Sequence, residues 1–355
     1  MVEQNVKGKA QTVLGLVEGS ELGITLPHEH FLVDASSYMR EPSDPEEKKL
    51  AHQKINMENL WYARYHKFSC EDNLVLDDID MAIREAIHFK QAGGKTIVDM
   101  TPINIGRVPQ TLVDIAKATS LNIIMGTAYY LAMSYTPEMK MESRTVESIA
   151  QEFTRDITVG VGDTGIKAGI IGELGCSWPL DKGEEKVLRA AGIAQQETGA
   201  AINIHPGGHP DAPFAYAKIL EEVGADTNRV VLSHTERGFP ISARSERARL
   251  AEKGCYLEFD QFGFDAQWPL STGTLDPPND VIRITMIMEL IEDGFLDRIL
   301  VSQDVCTKLA LRFYSGGGYA HILKNIKPKM LAKGMTEEQI HTLLVDNPRR
   351  INTFV

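Results

Sequence analysis

Apolar positions along this chain fall into two alternating periodicities. Short continuous runs such as Thr96-Ile-Val-Asp-Met100 and Ala201-Ile-Asn-Ile-His205 have the length and the aliphatic character of buried strands. Between such runs lie longer segments with apolar residues three and four apart, the spacing of an amphipathic helix. After a short opening segment, residues 23–33 read as a first strand. Residues 35–75 break the pattern: they are polar, charged and too long for an ordinary connection, which predicts a partly helical insertion. A regular rhythm then begins. A helix over about 78–92 stops at Gly93-Gly94 and leads to a strand at 96–100. Further strands are expected at about 122–130, 168–175, 201–205, 229–234, 256–261 and 299–304. Helices are expected between them at about 109–119, 145–157, 183–198, 212–223, 241–253 and 278–293. Two more, near 319–333 and 336–345, end the chain.

Eight strands, each followed by a helix, predict an α/β fold with a parallel sheet. With no composition break along 355 residues, a closed (β/α)8 TIM barrel fits better than an open doubly wound sheet. The expected organisation is one domain over 1–355, with the insertion at the barrel mouth and residues 336–355 as a C-terminal helix and tail. No GxGxxG or GxxxxGK[ST] opens a helix, so dinucleotide and P-loop chemistry have no support.

Charge narrows the partners. With 37 Lys+Arg against 49 Asp+Glu, the net −12 leaves no basic surplus to neutralise phosphates, which excludes a nucleic-acid partner. Four cysteines without a CxxC or CxxxC spacing predict reduced thiols and not a disulfide framework or zinc ribbon. The opening residues lack a signal peptide's apolar stretch, and no run approaches the roughly 18 apolar residues needed to span a bilayer. A cytoplasmic protein without a membrane partner is expected.

Barrel enzymes collect their chemistry at the C-terminal strand ends. There, His28 and His30 stand two apart on the first strand, a spacing that turns both imidazoles to one face. The fifth strand ends in His205, the sixth in His234 and the eighth in Asp304. Glu173 interrupts the apolar run Ala168-Gly-Ile-Ile-Gly-Glu-Leu-Gly175 of the fourth, where an unpaired acid is costly to bury. An internal salt bridge would also explain that acid, and a lone strand histidine is ordinarily a structural residue. Four imidazoles and two carboxylates on five strands nevertheless suit two divalent cations, zinc first.

This ligand pattern resembles the amidohydrolase superfamily and, within it, the phosphotriesterase-like branch. Particular segments carry the likeness: Gln11–Val17, Leu26-Pro-His-Glu-His30, Gly169–Leu180, Gly254–Asp260 and Gly316–Leu323. They are similar to an animal group of that branch associated with hydrolysing N-acetyltaurine to taurine and acetate. The resemblance implies a binuclear metal-dependent hydrolase in which a metal-bridging hydroxide attacks an N-acyl amide. In the assignment that follows, His28, His30 and Asp304 hold one metal, His205 and His234 hold the other, and Glu173 bridges them. Asp304 is also the catalytic proton carrier. Bacterial phosphotriesterases bridge their metals with a carboxylated lysine; Glu173 stands in that place here. Lys167 is six residues away, about 20 Å along a strand, and cannot replace it.

The implied substrate is small and anionic, N-acetyltaurine or an N-acyl amino acid. Arg237 and Lys308, just beyond the sixth and eighth strands, are candidate clamps for its sulfonate or carboxylate. Tyr130 resembles a lactonase tyrosine facing the metals, and Asp260 matches the branch's acid on the seventh strand; both join the substrate-binding set. Gln261 stands where bacterial phosphotriesterases carry that acid's partner histidine. A homodimer is the assembly the resemblance implies. Two alternatives stay open: a lactonase or phosphotriesterase-type esterase of the same fold, and a metal-binding protein without turnover.

Overall fold

In a computed structural model, residues 6–264 and 278–355 are described. Eight parallel strands form the centre: β1 Thr25–Glu29, β2 Thr96–Asp99, β3 Asn122–Met125, β4 Ile171–Cys176, β5 Ile202–Pro206, β6 Val230–Leu232, β7 Tyr256–Phe259 and β8 Ile299–Val301. Ladders run β1-β2-β3 and β4-β5-β6-β7-β8. Both seams between these two arcs are stitched by backbone hydrogen bonds. Gly169 N donates to Met125 O and Thr127 N to Ile170 O across the β3–β4 seam. At the β8–β1 seam, Asp304 N donates to His28 O at 3.2 Å. Glu29 seals the same seam from the outer face, accepting from Ser302 Oγ and from the backbone of Gln303 and Val305. The expected barrel is present, with most strands shorter than the apolar runs suggested; His28, Glu173 and His205 lie within strands, and His30, His234 and Asp304 just beyond them.

Helices between the strands start and stop where the sequence signals them. The helix Ile79–Gln91 begins on Asp78, whose carboxylate accepts from Met81 N. Lys182–Thr198 begins on an Asp181–Glu184 capping box and ends at Gly199, whose φ of 71° only glycine adopts easily. Gly94 is a glycine for space: a Cβ there would run into the Phe89 ring. The final segment departs from a plain helix, with π-helical turns at Ile322–Ile326 and Thr342–Asp346.

Inside the barrel, side chains change character along each strand. Ile124, Ala201, Val231, Tyr256 and Leu300 pack together near the N-terminal ends with Ala10, Leu22 and Ile351. One step up, the inward positions turn polar: Asn203, Ser233, Glu258 and Ser302, all buried. The next positions bring His205, Asp260 and Asp304. Period-2 alternation explains each series, 201-203-205, 256-258-260 and 300-302-304.

The insertion is pinched at its base. Val33–Asp34 pairs antiparallel with Val75–Leu76, and the chain between them carries the helices Pro45–Ala51 and Leu60–Tyr65. Its small core is Ala51, Tyr62, Ala63 and Cys70. Asp72 anchors it to the loop after β8 through Lys308 at 2.7 Å, and Asn73 Oδ1 accepts from Leu309 N. No helix among the described residues is long and apolar enough to cross a membrane.

Candidate metal centre

Four imidazoles and two carboxylates converge at the C-terminal mouth. Ligand atoms of His28, His30 and Asp304 lie within 4.8 Å of one another, as do those of His28, Glu173 and His234. Glu173 Oε1 stands 2.7 Å from His205 Nδ1 and 3.0 Å from His234 Nε2. Its other oxygen faces His30 Nε2 at 3.9 Å, and Asp304 Oδ1 lies 3.3 Å from the same nitrogen. The six residues named from the sequence therefore meet in one cluster, with Glu173 at its centre.

Behind the imidazoles, a second set of groups fixes which nitrogen faces inward. His28 Nδ1 is surrounded by Ser233 Oγ at 3.1 Å, Asp260 Oδ2 at 3.1 Å and Glu258 Oε2 at 3.3 Å. Its proton belongs on that side, so the lone pair of Nε2 points at the cluster. His30 Nδ1 donates to Thr101 Oγ1 at 3.0 Å, because that hydroxyl gives its own proton to Leu32 O. His234 Nδ1 donates to Asp260 Oδ1 at 2.7 Å. This is the way metal-ligating histidines are held. His28 Nε2 is moreover buried without a hydrogen-bond partner, with Glu173 Oε1 3.6 Å away, a placement that suits a shared cation. The donor set fits divalent cations of the zinc type.

His205 is turned the other way. Its Nδ1 meets Glu173, and Arg237 Nη2 donates to its Nε2 at 3.0 Å and to Pro206 O at 3.0 Å. Burial and the Arg237 guanidinium push this imidazole down to about 4, against the pull of Glu173. His234 goes the opposite way, up to about 10, since Asp260 outweighs the burial. Burial alone would raise the Glu173 carboxyl, but the imidazoles of His205 and His28 hold it well below the usual carboxylate range. Asp304 is likewise lowered: its bond to His30 and the neighbouring imidazoles overcome burial. Both carboxylates are ionised at neutral pH.

Backbone geometry aims two of the ligands. Ser233 and His234 are consecutive yet both face the barrel axis, which a regular strand forbids; His234 achieves it at φ 51°. Asp304 has φ 49°. Left-handed conformations in non-glycine residues are costly and concentrate at functional sites.

Among the proposed substrate contacts, Tyr130 and Arg237 line the pocket over the cluster. The Tyr130 hydroxyl accepts from Tyr38 at 3.1 Å and lies 3.2 Å from His205 Nδ1. The other two are displaced. Asp260 is fully buried behind His28 and His234, so it orients imidazoles and does not reach a substrate. Lys308 turns away to Asp72 and borders a separate cavity with Lys54 and Leu76, because the insertion's carboxylate captures its ammonium.

Sequence reasoning passed over Lys67, Tyr38 and Phe68, all from the insertion, which form part of the pocket wall. No local pattern marks them, since the insertion's docking brings them there. Glu258 was also passed over, although its signal existed: an acid in an apolar strand two residues before Asp260, the same logic that picks out Glu173. Cys306 borders the pocket, and Cys176 is buried at the end of β4.

Comparison with known proteins places this geometry. The model of the phosphotriesterase family matches residues 8–352. The chain is 43% identical over 350 residues to a phosphotriesterase-related protein of Nematostella vectensis, covering 98% of this chain and 99% of that one. It is 40% identical over 351 residues to the N-acetyltaurine hydrolase of Homo sapiens, covering 99% of each. Among solved structures, a resiniferatoxin-binding protein from Rhodobacter sphaeroides superposes with a TM-score of 0.93 at 35% identity, over 98% of this chain and 96% of that one.

Proposed function

The chain belongs to the phosphotriesterase family of hydrolases, and on that premise we propose that it is a binuclear zinc amidohydrolase cleaving N-acetyltaurine to taurine and acetate. The observation that carries this reading is the convergence of four imidazoles on Glu173 beside an ionised Asp304, in a chain 40% identical to an N-acetyltaurine hydrolase.

His28, His30 and Asp304 would hold one cation, His205 and His234 the other, and Glu173 would offer one oxygen to each. Bound there, the cations supply Lewis acidity and a water acidified towards neutrality. The chain's own residues do the rest. Seryl, threonyl and carboxylate partners behind His28, His30 and His234 keep the donor nitrogens aimed and the site rigid. Asp304, ionised and facing the pocket, takes the proton from the attacking water and delivers it to the amide nitrogen. An amine leaves only when protonated, so this transfer matters more here than for an activated ester. The acetyl carbon keeps the water's oxygen, and the nitrogen leaves as free amine.

A substrate panel tests the proposal. Zinc-loaded protein is assayed against N-acetyltaurine, N-acetyl amino acids, a lactone and paraoxon, and taurine and acetate release from the first is expected. Turnover of only the last two would make the protein an esterase, and no turnover would leave a metal-binding protein. Asp304→Asn should lower kcat roughly 10²- to 10⁴-fold while most of the metal is retained; an unchanged kcat removes Asp304 from the mechanism.

A further inference from the structure

We infer that Lys67 and Arg237 form a two-cation clamp selecting substrates that carry a sulfonate or carboxylate on the amine side of the scissile amide. This deepens the amidohydrolase reading and rests on it. It also gives the insertion a role in recognition, since that segment brings Lys67 to the wall between this pocket and the neighbouring cavity lined by Phe264.

Lys67 belongs to the insertion and Arg237 to the turn after β6, yet both line the pocket that contains Glu173 and Asp304. Lys67 is only 5% exposed, a depth of burial rare for lysine. Its Nζ lies 3.7 Å from the centre of the Phe264 ring, with Phe68 on another side at 5.6 Å. These aromatic faces tolerate a cation, and a charge at this depth is screened less than one at the surface. Burial lowers the Lys67 ammonium and Arg237 lowers it further, while Asp304 pulls it back.

The position of Lys67 is built, not incidental. Its carbonyl accepts from Asn73 Nδ2 at 3.1 Å, and Asn73 also receives Leu309 N. Next to it, Asp72 is locked to Lys308. Thus the lysine that the sequence suggested as a clamp instead fastens the turn that presents Lys67.

Arg237 is poised by its partners. Its Nη2 donates both to Pro206 O and to His205 Nε2, which leaves the opposite edge of the guanidinium outside these two bonds. That second bond requires the His205 proton to be on Nδ1. A sulfonate has three acceptor oxygens, enough for an ammonium and a planar guanidinium fork at once.

Steady-state kinetics of zinc-loaded Lys67→Met and Lys67→Arg, with N-acetyltaurine and the uncharged N-butylacetamide, tests the clamp. Methionine keeps the length and the aromatic contacts but not the charge. For Lys67→Met, KM for N-acetyltaurine should rise roughly ten- to hundredfold, the worth of one charged hydrogen bond, with kcat changed less than about threefold. KM for N-butylacetamide should hold or fall, and Lys67→Arg should restore most of the discrimination. An equal loss on both substrates would show a structural role and overturn the clamp, as would unchanged discrimination. Should the wild-type protein hydrolyse no amide, the amidohydrolase reading fails by itself. Calorimetry with propane-1-sulfonate then decides the clamp: binding weakened roughly tenfold or more by Lys67→Met sustains it, and equal or absent binding overturns it.

Discussion

Single side chains in this mouth divide into those that meet the pocket and those that hold them. Asp260 shows how much rests on the second kind. It accepts from the backbone of His234, from its Nδ1 at 2.7 Å, and faces His28 Nδ1 at 3.1 Å, so one carboxylate sets the tautomer of two ligands. The imidazoles in turn hold that carboxyl well below its usual range, despite full burial. Asp260→Asn keeps the shape but loses the charge and presents an amide N–H to one imidazole. Zinc affinity, read by competition with a chelator, should fall roughly ten- to hundredfold, with the circular dichroism spectrum unchanged. Unchanged affinity would show that the imidazoles are aimed by packing alone. The main ligands were legible from residue type and parity, whereas Asp260's true neighbours were not. Parity puts a side chain inside the barrel but does not say at what depth.

At the level of elements, the strands and the residues just beyond them carry the clustered imidazoles and carboxylates, and the insertion carries part of their surroundings. The two-residue ladder at its base and the Asp72–Lys308 pair hold the insertion over the mouth. Asp72 is 5% exposed and its carboxyl is held below its ordinary value of 3.8: burial would raise it, but Lys308 and Lys54 outweigh that. A lowered acid pKa stabilises the docked form above 3.8, and this contribution disappears as pH falls through the lower folded value. Amide exchange across 45–74 should therefore accelerate below about pH 3.8, before the barrel strands lose protection. At pH 6, Asp72→Asn should lower protection in the same segment roughly ten- to hundredfold, since a charged hydrogen bond is worth about 1.5–3 kcal/mol. Equal protection in the variant would place the anchorage elsewhere. Helix spans were read closely from periodicity and capping signals, whereas strands were read too long, as with 23–33 against the observed Thr25–Glu29. The π-helical turns near the C-terminus were missed, because a one-residue widening leaves the apolar spacing almost intact.

For the whole molecule, an acidic chain concentrates Glu173, Asp304, Asp260 and Glu258 at one end of its barrel, all buried. Four imidazoles relieve part of that crowding, and cations would relieve more. A ligand that binds only the folded state stabilises it by about 2.7 kcal/mol at a hundredfold excess over its Kd. Adding zinc to chelator-stripped protein should raise the unfolding temperature by several degrees, and His234→Ala should abolish most of the rise. A temperature unmoved by zinc would deny the cluster its metal.

The barrel and most of the polar cluster at its mouth are written locally in the sequence. Strand alternation is a local property, and residues two apart on a strand share a face whatever the rest of the chain does. His28 with His30, His205 and Asp304 follow from that rule together with the place of strand ends in such a barrel, whereas Glu173 and His234 reach the mouth only through a register shift in β4 and a left-handed residue after β6. Only the tertiary structure decided the wall of the pocket. Lys308 and Lys67 are both lysines on irregular segments, and nothing within either segment tells which one reaches the mouth. Docking of the insertion settles it: Asp72 draws Lys308 outward at 2.7 Å, and the same turn carries Lys67 in. Which long side chain meets a substrate depends on contacts between segments more than 200 residues apart, as Asp72 and Lys308 are. Periodicity within a segment carries no record of such contacts.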